Sequence, residues 1–236
     1  EEGLRQEALD PACAVLQYAQ EIFEGLKAYR LADGAMALFR PEQNAGRVNR
    51  SADRMAMPNL PEDTFVEAIP RLVLADKAWF PGVEGGSLYI RPFMIATETF
   101  LGVRPARQYK FLVIVSAAGN YFKSGAPAVS IWVSQDYTRA APGGTGAAKC
   151  GGNYAASLVP HANAVARGMD QVCFLDAAEH RWIEELGGMN LFFVFDDGSL
   201  VTPPLTGTIL PGITRDSLIT LAREEGLTVL EERYAI

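Results

Sequence analysis

The chain has 236 residues, nearly half of them hydrophobic and about a fifth charged, with a formal net charge of −7. That composition is ordinary for a globular protein large enough to build a core without disulfide or metal staples. The acidic balance argues against general affinity for nucleic acid or anionic lipid, both of which need excess Lys and Arg.

Three scattered cysteines, Cys13, Cys150 and Cys173, and two histidines do not supply a zinc ligand set, so no metal site is expected. Reduced thiols fit a cytoplasmic protein. No apolar run approaches the roughly 20 residues of a membrane span, and the first residues are not a signal peptide.

In chain order, residues 15–31 read as extended structure, and Asp33-Gly34 turns the chain into a return strand over 35–39. Pro41 suits the first turn of a helix running to about residue 57, before Pro58. Thr64 and Glu67 have the spacing of a capping box, opening a second helix that runs to about residue 80. Strands follow at 87–98 and 109–117. Gly119, Gly125 and Pro127 mark residues 119–127 as a linker between a first domain, 1–118, and a second, 128–236.

In the second part, 128–134 is a strand, 141–152 a glycine-rich loop and 153–167 a helix that Pro160 should bend. Strands at 171–175 and 191–195 precede an Asp197-Gly198 turn and a strand at 199–202. A helix at 214–225 and a strand at 227–233 complete the chain. Irregular alternation with several hairpins points to an α/β fold of the mixed, α+β kind.

The glycine-rich loop holds one lysine, Lys149, framed by Gly143, Gly144, Gly146, Gly151 and Gly152. Glycine allows close backbone approach to a ligand, and burial lowers a lysine's pKa and frees its amine for attack on an aldehyde. A surface lysine on a flexible loop fits composition equally well. The nucleotide phosphate-loop pattern is absent, because Ala148 and Cys150 flank the lysine.

The runs GGTGAAKCGGNYAAS (143–157), WIEELGGMNLFFV (182–194) and LPGITRDSL (210–218) resemble the fold-type IV pyridoxal-phosphate (PLP) enzymes. The resemblance is strongest to branched-chain amino acid aminotransferases, in an actinobacterial-like version. FEGLKAYR (23–30), LFRPEQNAGRVNRSADRM (38–55) and LYIRPF (88–93) stand upstream in the family's order, so the likeness covers nearly the whole chain.

The resemblance implies roles. Lys149 is the Schiff-base lysine and proton shuttle, and Tyr154 the tyrosine on the cofactor's phenolate oxygen. Glu185, rather than its neighbour Glu184, is the partner of the pyridine nitrogen. Arg47, Ile213 and Thr214 hold the phosphate, the last two at a helix N-terminus. Tyr18, Phe23, Tyr89 and Tyr121 are walls of an apolar side-chain pocket, and Arg91 recognises the distal carboxylate of glutamate or 2-oxoglutarate.

The expected activity is transamination between leucine, isoleucine or valine and 2-oxoglutarate, in a homodimer. A D-amino-acid aminotransferase, an aminodeoxychorismate lyase or an inactive PLP-binding fragment are the other readings. The family continues past Ile236 with a Gly-Thr-Ala-type motif, so the chain reads as truncated at both ends.

Overall fold

A computed structural model describes residues 7–83, 85–119 and 128–236. The first sheet is centred on β4 (Ser87–Ala96). β5 (Tyr109–Ala118) pairs antiparallel along the whole of one edge of β4. The other edge is shared by β1 (Glu21–Phe23), opposite Phe93 to Ile95, and β2 (Leu26–Arg30), opposite Ser87 to Ile90. Between them Glu24 donates its N–H to the Pro92 carbonyl at 2.7 Å. At Gly25 a Cβ would meet the Tyr89 hydroxyl, so a larger residue there would have to push that ring aside. The Asp33-Gly34 turn, with Gly34 at φ 83°, returns the chain into β3 (Met36–Leu38).

One face of this sheet packs on α2 (Pro41–Arg54) and α3 (Glu62–Ala75), burying Ile22, Val48, Phe65, Ile69, Leu88 and Ile90. Side-chain alternation sends Phe23, Tyr89 and Arg91 to the other face.

Two expectations fail here. Residues 15–31 are not extended throughout: Ala14–Tyr18 form a one-turn helix, α1, closed by Ala19 at φ 49°. Five residues are too few for their periodicity to stand out against the strand that follows. The capping box does not form either. α3 begins at Glu62 after Pro61, with no side-chain cap bond, and ends at Ala75 before a 3₁₀ turn over Lys77–Trp79. Acidic Glu62 and Asp63 occupy its first turn, where the helix dipole favours them.

The second sheet has the order β6-β7-β8. β6 (Ile131–Ser134) runs parallel to β7 (Gln171–Leu175), with α4 (Gly151–Ala166) as the crossover. β8 (Ile183–Leu186), which hydrophobic patterning does not single out, returns antiparallel. In the third sheet β9 (Phe193–Val194) and β10 (Leu200–Thr202) form the Asp197-Gly198 hairpin. α5 (Ile213–Glu224) then leads to β11 (Val229–Glu231), parallel to β10. The mixed α/β class expected from sequence is the one observed. No helix among the described residues is long and apolar enough to cross a membrane.

Candidate active site

Lys149 ends the glycine-rich loop one residue before the N-cap of α4. Asn153, in the first turn of that helix, folds the loop back on itself. Its Nδ2 donates to the carbonyls of Thr145 and Ala148, both at 2.8 Å, and its Oδ1 accepts the Thr145 hydroxyl at 2.7 Å. Gly146 lies against the Thr208 carbonyl with no room for a Cβ. The lysine's own N–H donates to Ser51 Oγ of α2 at 3.0 Å, and its carbonyl accepts the Phe23 N–H at 3.0 Å. Its neighbours Ala148 and Cys150 are buried in the core under the first sheet.

With the backbone held from both sides, the side chain enters an aromatic slot. Nζ donates to the Tyr154 hydroxyl at 2.9 Å and lies 5.0 Å from the Phe23 ring centroid. The two rings stand 5.0 Å apart. Burial, reinforced by the positive charges of Arg47 and Arg91 against the opposing pull of Glu24, pushes the Lys149 amine down to about 8. A useful share of it is therefore a neutral nucleophile near physiological pH. Burial also raises the Tyr154 phenol, keeping it neutral.

β8 presents adjacent glutamates to opposite sides. Glu184 accepts the Thr208 hydroxyl at 2.5 Å and is partly exposed. Glu185 is 3 % exposed. Its Oε2 accepts the Leu210 N–H at 3.1 Å and faces Arg139 Nη1 at 3.1 Å. Asn190 approaches Oε1 at 3.4 Å. Burial raises the Glu185 carboxyl, and Arg139 is the main opposing influence. Sequence reasoning missed Arg139. It is buried and also donates to the Thr208 carbonyl at 3.1 Å, so it links β8 to the segment that packs on Gly146 of the lysine loop.

Arg47 is buried on α2, not part of a solvated basic face. Its Nε and Nη2 grip the two oxygens of Glu24 at 2.7 and 2.8 Å, and Nη1 donates to the Pro211 carbonyl at 3.1 Å. Glu24, fully buried and also absent from the sequence-based site, accepts Asn44 Nδ2 at 2.7 Å as well. Burial opposes the Arg47 charge, but the Glu24 hydrogen bonds and charge outweigh it and hold the guanidinium above its ordinary value.

Pro211 leads directly into α5, whose first residues are Ile213 and the exposed Thr214. The first N–H groups of a helix have no partner within it and carry partial positive charge. Arg40 ties the same helix to α2 by reaching Asp216 at 2.7 Å.

On the sheet face, Arg91 lies 4.5 Å from the Phe23 ring and 5.3 Å from the Tyr89 ring, and donates to the Tyr89 hydroxyl at 2.8 Å. Phe23, Tyr89, Arg91, Lys149 and Tyr154 thus form one connected group. Tyr18 is not in it: its hydroxyl bonds the Leu101 carbonyl and its ring stacks on Phe100. Tyr121 lies outside the described residues.

This donor set fits PLP. A lysine with a depressed pKa suits attack on an aldehyde. A buried carboxylate facing an arginine suits a protonated ring nitrogen, and a helix N-terminus beside a buried arginine suits a phosphate.

The chain matches the family described as amino-transferase class IV over residues 21–236. A probable branched-chain-amino-acid aminotransferase of Streptomyces coelicolor is 60% identical over 230 residues, covering 97% of this chain and 63% of that relative. The branched-chain-amino-acid aminotransferase of Mycolicibacterium smegmatis is 58% identical over 232 residues, with the same coverage of each. This chain therefore spans less than two thirds of the length of these relatives.

Among solved structures, the branched-chain amino acid aminotransferase from Thermobaculum terrenum in its PLP form aligns with a TM-score of 0.79 at 26% identity, over 97% of this chain and 73% of that one. The matched family stretch takes in every part of the site described above, from Phe23 through Lys149 to the start of α5, and the chain belongs to the class IV amino-transferase family.

Proposed function

We propose that the protein is a PLP-dependent aminotransferase that exchanges amino groups between branched-chain L-amino acids and 2-oxoglutarate. The observation that carries this reading is the Lys149 amine, held 2.9 Å from Tyr154 in an aromatic slot whose wall ends at Arg91. The names of the relatives support the substrate class, and the PLP form of the solved neighbour supports the cofactor.

Arg47 and the N–H groups of Ile213 and Thr214 would hold the cofactor's phosphate, with the Thr214 hydroxyl beside them. Glu185 would accept a hydrogen bond from the ring nitrogen, and Tyr154 would serve the phenolate oxygen. When bound, PLP supplies an electron-withdrawing ring that takes up the electron pair released as the substrate's Cα–H bond breaks.

Lys149 Nζ, as a neutral amine, receives that proton and returns it, acting as general base and then general acid. Its low pKa suits both duties, since an amine near 8 is neither locked in its charged form nor too weak a base. Phe23 and Tyr89 offer apolar surface to a leucine, isoleucine or valine side chain. Arg91 receives the distal carboxylate of the dicarboxylic partner.

The division into 1–118, 119–127 and 128–236 belongs to this reading, with the site between the two parts. So does a homodimer, supported by the exposed apolar residues Tyr18 and Leu101, which meet beside α1. A cytoplasmic location is supported by three free, buried cysteines.

The test is a substrate panel with PLP-loaded protein. Leucine, isoleucine and valine should donate amino groups to 2-oxoglutarate. Turnover of D-alanine or aminodeoxychorismate in their place would overturn the substrate assignment.

A further inference from the structure

The sheet face around Phe23 carries a charge that the roles above leave unused. Glu21 opens β1, and strand alternation puts its side chain on the same face as Phe23, while Ile22 turns into the core. The carboxylate lies against the first residue of α4, where a Cβ on Gly151 would collide with Glu21 Oε1. Among the described residues Glu21 takes part in no side-chain hydrogen bond and no ion pair. Burial pushes its carboxyl up, and Arg91 pulls it partly back. Arg91 likewise pairs with no carboxylate among the described residues: its donors go to the Tyr89 hydroxyl and its face to the Phe23 ring. Arg91 lies over the ring of Phe23, the same-face neighbour of Glu21 on β1, so the two opposite charges share one face without forming a bond.

We infer that Glu21 is a specificity-determining residue, tuning Arg91 so that one pocket accepts both apolar and dicarboxylate side chains. The inference rests on the aminotransferase reading. A direct ion pair on Arg91 would have to be broken each time a dicarboxylate entered. With no acid nearby, an unopposed cation would hold the dicarboxylate too tightly and meet a leucine side chain as a bare charge. A carboxylate at a remove weakens the attraction without competing for the same hydrogen bonds, because Coulomb energy falls slowly with distance whereas hydrogen bonding needs contact.

The experiment measures dissociation constants of glutarate and 4-methylpentanoate on the PLP-loaded protein, by titration of its visible spectrum, for wild type, Glu21→Gln and Glu21→Asp. Glu21→Gln should tighten glutarate roughly three- to tenfold, an effect that shrinks as salt is added. Its affinity for 4-methylpentanoate should stay within about twofold, and Glu21→Asp should bind both ligands like wild type. Equal changes for both ligands, or unchanged glutarate affinity in Glu21→Gln, would overturn the role of Glu21. A wild-type protein that transaminates no amino acid and binds neither ligand would instead overturn the aminotransferase reading itself.

Discussion

On the α2 side of Lys149, Glu24 meets Arg47 with both carboxylate oxygens at 2.7 and 2.8 Å and takes Asn44 as a third donor. On the β8 side, Arg139 meets Glu185 through one nitrogen at 3.1 Å, and its Nε has no partner among the described residues. Both pairs are buried, yet they serve opposite members. In the first, the carboxylate holds an arginine in place beside the α5 N-terminus. In the second, the arginine opposes the burial that would protonate a carboxylate.

The two pairs also differ in how they can fail. A stranded Glu185 can escape its burial cost by taking up a proton. A stranded Arg47 cannot shed one at any ordinary pH.

The largest expected effect follows from that asymmetry. Glu24→Leu leaves Arg47 buried and charged, and should lower unfolding stability by about 3–5 kcal/mol. Denaturant titrations should show this loss to be nearly flat below about pH 7, because guanidinium does not titrate there, and to ease at higher pH, because Glu24 also helps hold the Lys149 proton.

Lys149→Met should move stability the other way. The buried amine has a pKa of about 8 against an ordinary 10.5, so the folded protein binds fewer protons between those values. The group's stability contribution therefore rises with pH across that window, and the full cost of its buried charge is present below it. Removing the amine should stabilise the cofactor-free protein by about 2–3 kcal/mol at pH 7. The advantage should vanish at the alkaline end.

Arg139→Met should cost about 1–2 kcal/mol at neutral pH and carry a pH signature. Glu185 already has a raised carboxyl pKa, so its stability contribution is full below the ordinary carboxylate value and declines as pH rises through the folded value. Without Arg139 that folded value rises further, and the decline should extend to higher pH. Melting curves over about pH 5–8 for variant and wild type would show the gap widening with pH. A constant gap would mean that the two pairs do not differ as described.

The smallest effect belongs to Gly151→Ala. Its Cβ meets only the flexible end of Glu21, so stability should change by less than about 1 kcal/mol.

The sequence made the α/β class legible because long periodic segments such as α2, β4, β5 and α5 announce themselves. α1 was hidden by its length, and the start of α3 by a capping pattern that an earlier acidic turn displaced. The lysine loop, Tyr154 and the Phe23–Tyr89–Arg91 wall come together because their motifs lie on elements that converge.

Glu24 and Arg139 were invisible for a different reason. Each is a lone charged residue whose partner stands 23 or 46 positions away, and only the packing of β1 on α2, or of β8 beside the loop, reveals the pairing. Of Glu184 and Glu185, the motif spacing to Asn190 singled out Glu185, and that is the one the fold buries.

The central claim is that Lys149 is the residue that bonds PLP. It is tested most directly by the visible absorption spectrum of the protein incubated with PLP, before and after borohydride, followed by peptide mapping. The expected result is a visible band that disappears on reduction and leaves the cofactor covalently attached at Lys149, with neither band nor adduct in Lys149→Ala. A band that persists in Lys149→Ala, or an adduct mapped to another lysine, would contradict it.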